Sequence, residues 1–209
     1  MAIVVVGGHS RSVGKTSVVV GLIEHLRELE WTAVKVTQFG HGICSANGEP
    51  CDCAINEEEH CCVITEERSQ VGDSDTSRFL LAGAARSLWV RTRQDKLAEG
   101  MPRLRSEIER GGNFIIESNS IIEFLRPDVY LTVLDHGTSD FKDSARRFLN
   151  RADAVLLHSA SANLSLNWPG VSPKLLDGKP MFPIAHQQYV TREIVEYVRN
   201  ALFLQRQPA

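Results

Sequence analysis

Residues 2–17 read Ala2-Ile3-Val4-Val5-Val6-Gly7-Gly8-His9-Ser10-Arg11-Ser12-Val13-Gly14-Lys15-Thr16-Ser17. Ala2–Gly7 is a short β-branched run bounded by glycine, the pattern of a buried strand. Lys15–Glu30 then keeps helical period, with Val18, Val19, Leu22, Ile23, Leu26 and Leu29 on one apolar face. Thr32–Thr37 reads as a second strand. Strand, tight turn, helix and strand make a βαβ unit, so the sheet should be parallel and the crossover right-handed.

The turn inside that unit points to chemistry. Small residues let backbone N–H groups face phosphate oxygens, and the N-terminus of the following helix carries partial positive charge. Lys15 can reach β- and γ-phosphates, Thr16 offers a hydroxyl to Mg²⁺, and Gly14 allows close approach. The candidate nucleotide-binding residues are therefore Gly8, His9, Ser10, Arg11, Ser12, Val13, Gly14, Lys15, Thr16 and Ser17. The usual spacing would place a glycine where this chain has His9; the glycine present is Gly8, one residue earlier.

Outward from this unit, strands and helices continue to alternate. From Gly40 to Gly72 the apolar period fails, and a stretch that long suggests a functional loop. Asp75 is expected to N-cap a helix over Ser77–Arg86. Strands are expected at Ser87–Arg91, Asn113–Glu117, Val129–Leu134, Ala154–His158 and Lys179–Ile184. Helices are expected at Gln94–Arg110, Phe141–Asn150 and Thr191–Leu204, and a loop at Leu166–Gly178. No repeat or linker divides the chain. The expectation is one α/β domain over residues 1–209, a mostly parallel sheet with helices on both faces.

Composition narrows the function class. A net charge of −3 with no basic stripe gives no nucleic-acid footprint. Met1–Val6 is apolar for only six residues and has no basic segment before it, so neither a signal peptide nor a membrane span is expected. A cytoplasmic protein is expected. All five cysteines lie between Cys44 and Cys62, clustered rather than spread as in a disulfide scaffold. With His41 and His60 they suggest a tetrahedral thiolate site for Zn²⁺, ahead of an iron–sulfur cluster. Cys44, Cys51 and Cys53 form one ligand set around a turn, and His60, His41 or Cys61 would supply the fourth. One of Cys61 and Cys62 also suits the core, since Val63 and Ile64 follow.

The spacing Gly-x5-Gly-Lys-Thr resembles the dethiobiotin synthetase loop. That places the chain in a group of P-loop NTPases that includes nickel-inserting GTPases and molybdopterin-guanine dinucleotide biosynthesis protein B. Three further segments bear on the likeness. Lys35, at the end of the second strand, matches a lysine that this group aims at nucleotide or substrate. Asp75-Thr76-Ser77-Arg78, ending in Ala82-Gly83-Ala84, is similar to a segment of protein B and would set Asp75 near Mg²⁺. Arg78 could meet phosphate or pair with Glu66 or Glu67, and Gly83 suits close helix packing. Glu117 closes an apolar strand, as a carboxylate for Mg²⁺ or its water would, although Ser118-Asn119-Ser120 follows where the family has glycine.

The resemblance spans residues 1 to about 135 and implies a Mg²⁺-dependent protein that binds ATP or GTP and hydrolyses it weakly. Lys15, Asp75 and Glu117 would act in catalysis, with Thr16, Asp75 and Glu117 around Mg²⁺. It would support a partner protein in molybdenum-cofactor maturation, and related proteins dimerise. A metal-delivery GTPase whose cysteine loop binds zinc or nickel is a second reading. A dethiobiotin synthetase-like ATP-dependent ligase is a third, and a zinc-stabilised interaction module with an inactive loop a fourth. No guanine-reading motif appears, and His158-Ser159-Ala160-Ser161 would face the base. His136, His158 and His186 read as surface or hydrogen-bonded histidines. Lys142, Asp143, Arg146 and Arg147 read as a solvated helix face.

Overall fold

The computed structural model describes residues 1–39, 62–158 and 168–204. One eight-stranded sheet runs through them: β1 (Ile3–Gly8), β2 (Trp31–Phe39), β3 (Cys62–Glu66), β4 (Arg86–Arg93), β5 (Asn113–Glu117), β6 (Val129–Leu134), β7 (Ala154–His158) and β8 (Met181–Ile184). Its order is β3-β4-β2-β5-β1-β6-β7-β8. Every neighbouring pair is parallel except β3 with β4 at the edge. The helices are α1 (Lys15–His25), α2 (Asp75–Ala82), α3 (Leu97–Glu109), α4 (Asp143–Phe148) and α5 (Arg192–Leu204).

Strand alternation distributes the core to two faces. Val4 and Val6 of β1 point with Ile115, Leu131 and Leu156 toward α1, α2 and α5, where Leu22, Phe79 and Val198 are buried. Val5, Phe114 and Ile116 point the other way and meet Leu97, Met101 and Leu104 of α3. A third cluster, with Phe141, Leu149, Val155 and Trp168, closes the sheet beside α4. This is the expected α/β architecture with helices on both faces. Among the described residues no helix is long and apolar enough to cross a membrane.

Several local expectations are corrected. The aperiodic stretch does not run unbroken to residue 72, because Cys62–Glu66 forms the antiparallel edge strand β3. Cys62 is buried against α3, and a Cβ on Gly100 would strike its sulfur, so this cysteine packs in the core. The N-cap of α2 is Ser74, not Asp75; its hydroxyl accepts from the Ser77 amide while the Ser77 hydroxyl accepts from the Ser74 amide. Gly83 does not serve helix packing but ends α2 in the left-handed region at φ 107°, where glycine carries no Cβ penalty. Helix α1 ends at His25 and passes into a 3₁₀ turn over Arg27–Leu29.

Candidate functional site

β1 lies between β5 and β6, and its carboxyl end feeds the loop before α1. The connection from β1 runs to β2 on one side, while that from β5 crosses to β6 on the other, and open α/β sheets open a crevice where the strand order reverses in this way. A cleft of about 1450 Å³ lies there, lined by Gly14, Lys15, Thr16 and Ser17 from the loop and α1, and by Lys35, Asp75 and Glu117 from β2, α2 and β5.

The loop is held by its neighbours rather than by its own sequence. Gly8 donates its amide to Asn119 Oδ1 and accepts from Asn119 Nδ2, both at 2.8 Å. Gly7 is required underneath, because a Cβ there would strike that amide oxygen. The glycine at position 8 lets the Lys15 stem pass, since a Cβ would lie 3.0 Å from Lys15 Cγ and 2.8 Å from Val13 Cγ2. Gly14 has φ 93°, and a Cβ on it would collide with the Tyr189 ring. α1 has no side-chain N-cap. Its first amides therefore remain available to an anion.

His9 explains the shifted glycine. Its ring is fully buried, 5.2 Å from the Phe141 centroid and 5.5 Å from that of Trp168. The ring nitrogens meet the carbonyls of Val133 (3.4 Å) and Thr138 (3.2 Å). Burial lowers its pKa, opposed by the two carbonyls and by Asp135. Its amide donates to the Val133 carbonyl. Of the ten loop residues expected at a nucleotide, Gly8 and His9 thus have committed amides, and Val13 is buried in the core with its carbonyl 3.0 Å from His158 Nε2. Ser10 reaches Asp140 through its hydroxyl at 2.6 Å. Arg11, Ser12, Gly14, Lys15, Thr16 and Ser17 line the cleft.

Lys15 donates to the Ser10 carbonyl at 2.6 Å, closing a ring across the loop. Burial lowers its pKa to about 8, opposed by Glu117 and aided by Lys142 and Lys35. Beside it, Glu117 is 3% exposed. Its Oε2 accepts from the Thr16 hydroxyl at 2.8 Å, and its Oε1 accepts from Lys35. Lys35 also bridges to Asp75 Oδ2 at 2.8 Å and stands 3.5 Å from Thr16 Oγ1. Burial would lower the Lys35 pKa, but Glu117 and Asp75 together hold it above the usual lysine value.

Three oxygen-bearing side chains therefore surround one cation, and that cation is the protein's own ammonium. A hydroxyl and two carboxylates are the hard donors that Mg²⁺ takes, usually with no more than two protein carboxylates beside phosphate oxygens and water. The set fits Mg²⁺, and no cluster of three or more His, Cys, Asp or Glu occurs among the described residues. Lys35, Asp75 and Glu117 are thus brought together with Lys15 and Thr16. Arg78 pairs with neither Glu66 nor Glu67. Glu66 is bound by Arg86 and Glu67 accepts from Ser74 and Thr76, while Arg78 lies along Asp75 (3.7 Å) and reaches Ser17 Oγ (3.5 Å).

The zinc ligands expected from sequence, Cys44, Cys51, Cys53 and His60 with His41 and Cys61, lie outside the described residues, as do Ser159, Ala160 and Ser161. His158 is buried and hydrogen-bonded, and His186 is exposed with its Nδ1 3.1 Å from the Tyr189 hydroxyl. Lys142 is not on a solvated face: it lines the cleft. Sequence reasoning left Asn119 open between a substrate contact and a cap; it is a buried brace for Gly8. Removing it in Asn119→Ala leaves the Gly8 amide and carbonyl without partners in a dry site. The expected cost is about 2–3 kcal/mol, read as a lower urea midpoint at unchanged slope. A midpoint equal to the parent's would show that the brace contributes nothing.

No protein-family model matches the chain, and no curated protein does. Two solved structures share part of its path. LpxK from Aquifex aeolicus, in complex with ATP, is 18% identical with a TM-score of 0.47 over 88% of this chain and 53% of its own, so this chain spans about half the length of that protein. HypB from Helicobacter pylori, in complex with nickel, is 14% identical with a TM-score of 0.48 over 97% of this chain and 86% of its own. Both likenesses are distant, and the site stands on its own geometry.

Proposed function

We propose that this chain binds a nucleoside triphosphate, ATP or GTP, with Mg²⁺ in the cleft and acts on the terminal phosphate. One observation carries the reading: Lys15, Thr16, Lys35 and Glu117 converge where an uncapped helix N-terminus opens into the cleft. The amides at the start of α1 would receive phosphate oxygens, and Lys15 would neutralise the β- and γ-phosphates. Thr16 and Glu117 would hold Mg²⁺, and Asp75 would orient its water. Bound there, Mg²⁺ would supply charge neutralisation at the transferring group. Lys35 holds the Glu117 and Asp75 carboxylates in place through its two ion pairs.

The role in molybdenum-cofactor maturation rests on the Asp75–Ala84 resemblance, to which the structure adds that Asp75 lines the cleft with its carboxylate on Lys35. The metal-delivery GTPase is the second reading. Phe39, the last residue of β2, lines the cleft. The Cys/His segment follows Phe39 in the sequence, and nucleotide state could alter its metal affinity. The ligase reading is weakened by the residues after Glu117. Ser118 Oγ accepts from the Ile121 amide and Asn119 braces Gly8, so both side chains have a structural task in place of the family's glycines.

The test is a calorimetric titration of metal-analysed protein with ATP and GTP, with and without Mg²⁺. Mg²⁺-dependent binding of at least one nucleotide is expected, with about one zinc per chain. Binding of neither at millimolar concentration would refute the nucleotide reading. Zinc or nickel affinity that differs between the GTP and GDP forms would favour metal delivery over cofactor maturation.

A further inference from the structure

Lys142 has no place in the machinery described so far, and its surroundings are unusual for a lysine. It is half-buried and lines the cleft with Arg11, Lys15 and Lys35. Several basic side chains nearby have acidic partners: Lys35 has Glu117 and Asp75, Arg147 has Glu123, and Arg146 has Asp143, whereas Lys15 is held by the Ser10 carbonyl. Lys142 makes no ion pair within 4 Å among the described residues. Asp140 is close enough to attract it, but its Oδ2 already accepts from Ser10.

We propose that Lys142 is a second lysine for the terminal phosphate, delivered to the nucleotide from the segment between β6 and α4; this rests on the nucleotide reading above. The segment is fastened to the loop itself. The Lys142 amide donates to the His9 carbonyl at 2.8 Å, and Ser10 donates to Asp140 at 2.6 Å. The His9 ring is wedged against Phe141 and Trp168 and lies 3.2 Å from the Thr138 carbonyl. Residues 138–142 and residues 9–10 thus form one unit, so the Lys142 backbone is registered on the loop and not only on α4.

The electrostatics point the same way. Lys142 and Lys15 repel each other, Lys35 and Arg11 repel Lys142, and Glu117 attracts it. Lys15 and Glu117 are the groups that the nucleotide reading sets at the terminal phosphate and its Mg²⁺, and Arg11, Lys35 and Lys142 line the same cleft. Burial and the Arg11 charge lower the Lys142 pKa. Asp140 and Glu117 offset part of the repulsion from Arg11, Lys15 and Lys35, and a polyphosphate placed among these cations would add attraction to every one of them. In that role Lys142 exchanges no proton. It would stabilise negative charge on the γ-phosphoryl oxygens, as a cation supplied within the chain does in other phosphoryl-transfer sites.

The test uses the full chain as Lys142→Ala and Lys142→Arg, titrated with ATP and ADP, or GTP and GDP if the parent prefers guanine. Lys142→Ala is expected to weaken triphosphate binding by ~10–100-fold, to leave the diphosphate within about threefold, and to lower kcat more than it raises KM. Lys142→Arg is expected to restore most of the loss. Equal loss of triphosphate and diphosphate, or parent-like binding and turnover, would overturn the proposal. A parent protein that binds no nucleotide is a different result: it removes the site's reading, and this role with it.

Discussion

Lys15→Ala is expected to lower nucleoside triphosphate affinity by about 100-fold or more, the loss of about 3 kcal/mol that follows when one member of a desolvated charge pair is truncated. The side chain is half-buried and its ammonium is already directed by the Ser10 carbonyl at 2.6 Å, so little ordering opposes its contact with phosphate. Its lowered pKa adds a pH signature. In the protein the ammonium begins to lose its proton near pH 8, against about 10.5 for an ordinary lysine. Phosphate binding favours the protonated form, so affinity should be constant below about pH 7 and fall through pH 8–9. Folding has the opposite dependence. The folded chain binds fewer protons than the unfolded chain between about pH 8 and 10.5, so this group's contribution to stability rises through that window. Titration of the parent and of Lys15→Ala from pH 6.5 to 9.5 separates the two effects. An alanine variant that takes up nucleotide as the parent does would remove the site assignment.

What the sequence revealed, and what it did not, follows from the range of the interactions involved. The βαβ unit was legible because strand and helix periods are local and Gly14-Lys15-Thr16 lies between them in order. β3 was not. Its five residues follow a cysteine cluster, and its strand neighbour among the described residues is β4, an antiparallel partner that β2 also flanks. Asp75 was placed at the right helix end, but the cap expected of it belongs to Ser74. Ser74 and Ser77 form a serine capping box without the usual glutamate, and this leaves the Asp75 carboxylate to Lys35. Lys35 itself was legible only through resemblance. Its function as the common partner of Glu117 and Asp75 depends on strand register, Lys35 opposite Glu117 across the β2–β5 ladder. Asn119 and Lys142 act on the loop across 111 and 133 residues of sequence, and no local pattern reports such contacts. His9 marked a departure from the usual spacing, but its cause, a pocket between Phe141 and Trp168, is visible only in three dimensions.

Glu117 is the other position where a single change should have a large effect, and two substitutions there separate stability from chemistry. Glu117→Ala removes the main partner of Lys35, whose side chain is only 19% exposed, and leaves the Thr16 hydroxyl without its acceptor. Removing one partner of a buried ion pair costs about 3–5 kcal/mol. Lys35 keeps Asp75 and some solvent, so the expected loss falls below that range, on the order of 2 kcal/mol and about 4–8 °C in Tm. Glu117→Gln keeps the volume, and its carbonyl oxygen can accept from Lys35 while its NH2 donates to the Thr16 hydroxyl, so its Tm should fall by less than half as much. Its charge is gone, however, and with it the carboxylate offered to Mg²⁺. Nucleotide binding should then persist with little dependence on Mg²⁺, and turnover should drop by about 10²–10³-fold, the usual size of a lost preorganised electrostatic contact. Calorimetric titrations with and without Mg²⁺ read the first effect, and phosphate release reads the second. If Glu117→Gln binds nucleotide with the parent's full Mg²⁺ dependence, the carboxylate serves Lys35 alone, and the metal must be held by Thr16 and the nucleotide.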